Sequence, residues 1–305
     1  MIEIDLTEET TLPFAYVNGT ILHYEMTGTG TPIVFIHPPL LTSQAFAYQK
    51  NQLSEHYQVI TFDIRGHGAS QSSERTLDYA LITEDIRQLM DYIGIEKAFL
   101  CGYSTGGSVL LEALLSYPER FLGGIVVSGM SELTDSYNRS RVWLASRMAG
   151  SELLLKLLKK AVFYGNADNE ATYRHLYESA LSDASDNVQS FFEQSLTYSC
   201  TKRLHRIQHP ILLIYGQKDA IFHRYAMLLH KELPHSSLYF LKETKHQIPF
   251  KQAPKMNDLI HLWIDSLEDE QSERAQLDLS IAQKLNPAMY GQETKEDQPS
   301  AEYTN

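Results

Sequence analysis

Residues 98–107, AFLCGYSTGG, constrain this chain more than any other short stretch of it. The first half has the apolar run of a buried strand, and a helical pattern follows from about Gly106 to Tyr117. Between them Gly102-Tyr103-Ser104-Thr105-Gly106 carries the G-x-S-x-G spacing. A strand that turns so abruptly into a helix forces the residue at its apex into strained backbone angles. Glycines at 102 and 106 remove the side chains that would collide there. Ser104 Oγ then projects above the sheet at a helix N-terminus, where free N–H groups stabilise negative charge. A serine in an ordinary strand–helix turn is the bland alternative, and the partners named below argue against it.

The surrounding residues alternate between two periodicities. TLPFAYVNG and ILHYEMTG read as a hairpin about Asn18-Gly19. PIVFIH at 32–37 and QVITFD at 58–63 are short apolar runs suited to strands buried on both faces. At 78–93 Ile82, Ile86, Leu89 and Ile93 recur at helical spacing, and FLGGIVVSG follows the next helix. Strand, helix, strand, helix, strand predicts right-handed crossovers and a mostly parallel α/β sheet flanked by helices.

That rhythm stops at about residue 131 and resumes at about 205. The interval has helix-length amphipathic segments, SELLLKLLKK and NVQSFFEQSL among them, and no convincing strand. It reads as an all-helical insertion over one edge of the sheet. Leu153, Leu154, Leu157 and Leu158 beside Lys156, Lys159 and Lys160 admit a membrane-surface helix. A buried leucine face with solvated lysines is the favoured reading. PILLIYG, AMLLHKEL, SSLYFLKE and the helix NDLIHLWIDSL then complete the sheet. The expected organisation is therefore core at 1–130, helical cap at 131–204, core again at 205–267, and a tail at 268–305.

A nucleophilic serine needs a base, and the base needs an orienting acid. Both should lie on loops at the ends of later strands. Asp219 follows PILLIYG, and His246 follows SSLYFLKE, so the chain order is Ser104, Asp219, His246. Of 12 histidines, only His246 has this placement. Together with His37-Pro38-Pro39-Leu40 after the 32–37 strand and DIRGHGAS at 63–70, these segments resemble the α/β-hydrolase superfamily, in the branch that carries a helical cap. The likeness runs from about residue 20 to 267. It implies an α/β-hydrolase fold and the triad Ser104, Asp219 and His246, with Thr105 N–H as one donor to the oxyanion. Asp63 and Arg65 would brace their loop and take no catalytic step.

One position departs from the family pattern. The family reads His-Gly-X, with the N–H of X as the second oxyanion donor, and X here falls on Pro39, which has no N–H. Either the loop shifts so that Leu40 N–H takes that role, which is the expectation, or a side chain substitutes, or the hole has one donor. The paired prolines stiffen the loop and admit a cis bond. His37 is expected in a structural or pocket role, and His37 and Tyr103 are the candidate substrate-binding residues of the core. Two or three of the cap aromatics (Tyr137, Trp143, Phe163, Tyr164, Tyr173, Tyr177, Phe191, Phe192, Tyr198) are expected to touch substrate.

Serine at the elbow, where dehalogenases and epoxide hydrolases of this fold carry aspartate, implies acyl chemistry on a small, largely apolar ester, thioester or lactone. A C–C bond hydrolase with the same triad and a non-catalytic ligand receptor are the alternatives. No cofactor and no metal is implied. Cys101 reads as buried packing, and two cysteines make neither a disulfide framework nor a zinc site. A net charge of -12 argues against a nucleic-acid partner. Residues 268–305 hold nine acidic and three basic side chains, half of that charge. GQETKEDQPSAEYTN reads as disordered, and AQLDLSIAQKL as one helix docked on the body. Without a secretion signal at MIEIDLTEET or a membrane-length apolar run, a cytoplasmic protein with a small-molecule substrate is expected.

Overall fold

The computed structural model describes residues 13–285, with side chains described as far as residue 269. β1 (Phe14–Val17) and β2 (Thr20–Thr27) pair antiparallel across Asn18 and Gly19, whose φ angles of 48° and 72° suit a two-residue turn. β2 then pairs antiparallel with β4, Tyr24 opposite Phe62, and joins the hairpin to a parallel sheet. That sheet continues through β3 (Pro32–Ile36), α1 (Ala47–Leu53), β4 (Gln58–Phe62), α2 (Tyr79–Tyr92), β5 (Ala98–Tyr103), α3 (Thr105–Ser116) and β6 (Phe121–Val127). The spatial order of the eight strands is β1-β2-β4-β3-β5-β6-β7-β8, the last two introduced below. Every residue of β5 is buried, as a strand with helices on both sides requires. Asp78 caps α2 by accepting from Leu81 N–H at 2.7 Å, and Ile82, Ile86 and Leu89 face the core.

Four helices intervene before the sheet resumes: α4 (Ser136–Ala149), α5 (Glu152–Asn166), α6 (Glu170–Ser179) and α7 (Ser185–Thr197). They are tied to the loop after β4. Asp183 Oδ1 accepts from Gly68 N–H at 2.7 Å, and Ala184 N–H donates to the Gly66 carbonyl at 2.9 Å. Asn187 both accepts from Ser73 N–H and donates to the Ser73 carbonyl. The same loop is braced from below. Asp63 accepts from the backbone of Ser43 and Ala69 and from His23 Nδ1, and Arg65 forms a buried pair with Asp85.

Within α5 the buried side chains are Leu155, Lys159 and Phe163, whereas Leu153, Leu154 and Leu157 are exposed. The expected leucine face with solvated lysines is thus rotated. Lys159 is enclosed because its ammonium donates to the Ala180 carbonyl and pairs with Asp183 at 3.1 Å. Leucines on nearly every side of α5 left the burial face to these polar partners.

β7 (Ile211–Gly216), α8 (His223–Glu232), β8 (Ser236–Leu241), the short α9 (Ile248–Lys251) and α10 (Ala253–Leu285) complete the described residues. NDLIHLWIDSL and AQLDLSIAQKL, expected as separate helices, are parts of the single α10, because no glycine or proline falls between them. From His261 onward α10 is a second unit, with Ser266 Oγ donating to the Trp263 carbonyl at 2.7 Å. The stretch GQETKEDQPSAEYTN lies outside the described residues. No described helix is long and apolar enough to cross a membrane.

Candidate active site

β5 ends at Tyr103 and α3 begins at Thr105, which leaves Ser104 alone at the turn. Its φ of 54° and ψ of -119° are the strained angles expected of that position. The neighbouring glycines make the turn possible. A Cβ on Gly102 would stand 2.4 Å from the Gly106 carbonyl oxygen, and one on Gly106 would stand 2.2 Å from that of Ile36. This second contact seats the N-terminus of α3 directly against the loop that follows β3.

The loops after β7 and β8 bring the other two groups. Lys218 N–H donates to the Thr244 carbonyl at 2.7 Å, and Gln217 N–H to that of Leu241 at 3.0 Å, so the two loops are laced together. Asp219 Oδ2 accepts from His246 Nδ1 at 2.8 Å, and His246 Nε2 lies 3.2 Å from Ser104 Oγ. The three side chains therefore form one hydrogen-bonded line across 142 residues of sequence. The imidazole is held from the sides by Phe222 and Tyr103, with ring centroids 4.3 Å and 5.5 Å away.

A cavity of about 360 Å³ opens on this line, walled by Ser104, Thr105, Asp219 and His246 on the core side. It lies at the small end of the roughly 300–1,000 Å³ range of ligand pockets. α4 contributes Asn138, Arg141, Val142, Ala145 and Met148, spaced as one helix face, and α5 contributes Leu158 and Val162. Of the nine cap aromatics only Phe192 lines it. Phe163 and Phe191 are wholly buried core, whereas Tyr137, Trp143 and Tyr164 are exposed. The cap side of the wall is mainly aliphatic, and the signal that could have found it was the 138–148 periodicity rather than aromatic content.

The remaining expected residues fall as follows. Thr105 lines the cavity, and its N–H is the first of α3, with no carbonyl one turn earlier to receive it. Leu40 is buried with a φ of 71° and is not among the lining residues. The peptide bonds at Pro38 and Pro39 are trans, as are all those described. Of the two roles expected of His37, the structure favours the structural one over a substrate contact. Its ring is wholly buried away from the cavity, Nδ1 donates to the Pro38 carbonyl at 2.9 Å, and Nε2 accepts from Ile64 N–H at 2.9 Å. Burial pulls its pKa down to about 4. Tyr103 likewise is buried against His246 and is not among the lining residues, and its hydroxyl donates to Asn166 Oδ1 at 3.1 Å. Cys101 is wholly buried, and burial pushes its thiol well above the ordinary range. Among the described residues no group of side chains could hold a metal ion.

Known proteins resemble this chain to differing degree. A family described as alpha/beta hydrolase fold matches residues 31–252. Serine hydrolase BPHL of Homo sapiens is 28% identical over 251 residues, which span 80% of this chain and 82% of that protein. Among solved structures, the esterase EaEST from Exiguobacterium antarcticum superposes with a TM-score of 0.73 at 20% identity, over 83% of this chain and 98% of that one. The enol-lactonase from Burkholderia xenovorans LB400 gives 0.72 at 21% identity, over 83% and 100%.

Proposed function

This chain belongs to the alpha/beta-hydrolase fold family, and from that premise we propose a serine hydrolase that cleaves a small, largely apolar ester, thioester or lactone. The observation that carries the reading is the unbroken line Asp219–His246–Ser104 at the floor of an aliphatic cavity. Ser104 Oγ would attack the carbonyl carbon as its proton passes to His246 Nε2. Asp219 accepts from Nδ1, holds the ring in the tautomer that leaves Nε2 free, and stabilises the imidazolium. The carbonyl oxygen, now negative, would take the N–H of Thr105 at the mouth of α3 and that of Leu40. The imidazolium returns its proton to the departing alcohol or thiol. A water then repeats the attack under the same base, and the acid product leaves with Ser104 restored.

The cap is read as residues 131–204 and would set specificity through the lining of α4, α5 and α7. The two buried free cysteines and acidic charge suit a cytoplasmic enzyme whose partner is its substrate rather than nucleic acid or membrane. BPHL and EaEST, named as serine hydrolase and esterase, lend the ester reading weight.

Short-chain aryl esters test it. Ser104→Ala should abolish their turnover and fluorophosphonate labelling without lowering the melting temperature. Full activity in that variant would end the assignment. Turnover of ring-opened dienols in place of aryl esters would instead favour the C–C hydrolase that shares this triad. A phosphonate adduct should place its oxygen about 2.7–3.1 Å from the Thr105 and Leu40 nitrogens.

A further inference from the structure

α4 carries three arginines, and they are spent differently. Arg139 donates to the Leu133 and Leu196 carbonyls. Arg147 lies over the Trp143 ring and does not line the cavity. Arg141 lines it and is the one Lys or Arg that does. Its guanidinium is held over the Tyr137 ring, 5.4 Å from the centroid, and takes part in none of the ion pairs among the described residues.

Three acids of this part of the chain have other partners. Asp135 accepts from Tyr225 and Asn138, Asp219 accepts from His246, and Glu193 accepts from Gln189 and Ser146. An exposed fork of five donors thus stands on a mainly apolar wall, with no hydrogen bond to another described side chain. The chain as a whole is strongly acidic, so its field disfavours an anionic ligand unless a local cation receives it. Carboxylates are the small groups that a guanidinium fork matches in geometry and charge.

We propose that the substrate carries a carboxylate and that Arg141 receives it while Ser104 attacks an ester bond elsewhere in the same molecule. This deepens the hydrolase reading above and rests on it. Arg141 would act on specificity, with the aliphatic face of α4, α5 and Phe192 enclosing the carbons between the two ends. The carboxylate could lie on the acyl side, as in a half-ester of a dicarboxylic acid, or on the leaving side, as in an ester of a hydroxy acid.

Two pairs of aryl esters separate these cases. One pair compares a half-ester of a dicarboxylic acid with its neutral methyl-ended analogue. The other compares the acetate of a hydroxybenzoate with that of the uncharged phenol. The wild-type enzyme should prefer the carboxylate member of one pair by about ten-fold or more in kcat/KM, from a charged hydrogen bond at a partly exposed site. Arg141→Gln should collapse that ratio, and Arg141→Glu should turn the preference toward an ammonium-ended analogue.

A ratio near one in both pairs, or a ratio that Arg141→Gln leaves intact, overturns the proposal while leaving the hydrolase reading in place. Loss of all turnover together with an unlabelled Ser104 removes both. Calorimetry with Ser104→Ala supplies a readout without catalysis. The carboxylate-ended ester should bind at least about ten-fold tighter than its neutral analogue, and Ser104→Ala combined with Arg141→Gln should lose that difference. Equal binding of the two esters to Ser104→Ala also overturns it.

Discussion

Phe222 sets its ring 4.3 Å from that of His246, tilted by 50°, while its other side lines the cavity. Two hydrogen bonds define where the imidazole points, but a side wall is what keeps it from swinging out of line. An aromatic contact of this kind is worth about 0.5–1.5 kcal/mol. Phe222→Leu should therefore lower kcat by up to about ten-fold, since about 1.4 kcal/mol is a decade in rate. KM for a short aryl ester should move less. Steady-state kinetics checks this, and an unchanged kcat would show that the hydrogen bonds alone suffice.

Asp219→Asn preserves shape and removes the charge that selects the His246 tautomer. In the Ser-His-Asp template this change lowers kcat by about ten-thousand-fold. A loss of at least about a thousand-fold in kcat is expected here, with the melting temperature nearly unchanged. A small loss would mean that another group can orient the ring.

Gly106→Ala puts a methyl group where the Ile36 carbonyl oxygen already lies, 2.2 Å away. Backbone sits on both sides of that contact, so neither can yield cheaply. Overpacking of this sort costs about 1–3 kcal/mol. Denaturant unfolding should show that loss, and fluorophosphonate labelling of Ser104 should fall with it as the elbow shifts. Wild-type stability would refute the close approach.

His37 and His67 are wholly buried with ring centroids 5.3 Å apart, and burial pulls both down to about 4 from their ordinary 6.5. The unfolded chain therefore binds protons that the folded one refuses between these values. Stability present above pH 6.5 is lost as the pH falls toward 4. Asp183 opposes this, because burial lifts it to about 6 and its protonation relieves part of the cost of enclosing it. Asp63 is also buried, but its bonds from His23, Ser43 and Ala69 outweigh that and hold it at about 2, so its contribution survives through this window. His67 Nδ1 donates to the Arg65 carbonyl, a bond that an asparagine amide can replace. His67→Asn should flatten the acid decline by about 1.4 kcal/mol per pH unit, read from urea midpoints between pH 6.5 and 4. Parallel curves for the two proteins would refute the assignment.

The parts of the site that were legible in advance share a physical origin. A strand–turn–helix at 98–116 is fixed by near neighbours, so Gly102, Ser104 and Gly106 could be read off directly. Asp219 and His246 are legible because parallel strands bring their C-terminal ends to one rim, whatever the separation along the chain. The helical segment was another matter. In the core, the position of His37 after β3 allows a pocket or a structural role, and a hydrogen bond from Ile64, 27 residues away, turns its ring inward. Lys159 looked solvated, yet the loop before α7 covered it.

Alternating periodicity, the elbow and the order of serine, acid and base were thus written into the linear chain, because each depends on spacing within one element or on a rule of sheet topology. Which side of α4 and α5 meets Ser104, and that Arg141 is left on it without an acid, depended on how four helices settle over the core. Helices with apolar residues on several sides have more than one face to bury, and a distant carbonyl or carboxylate such as those of Ala180 and Asp183 makes the choice.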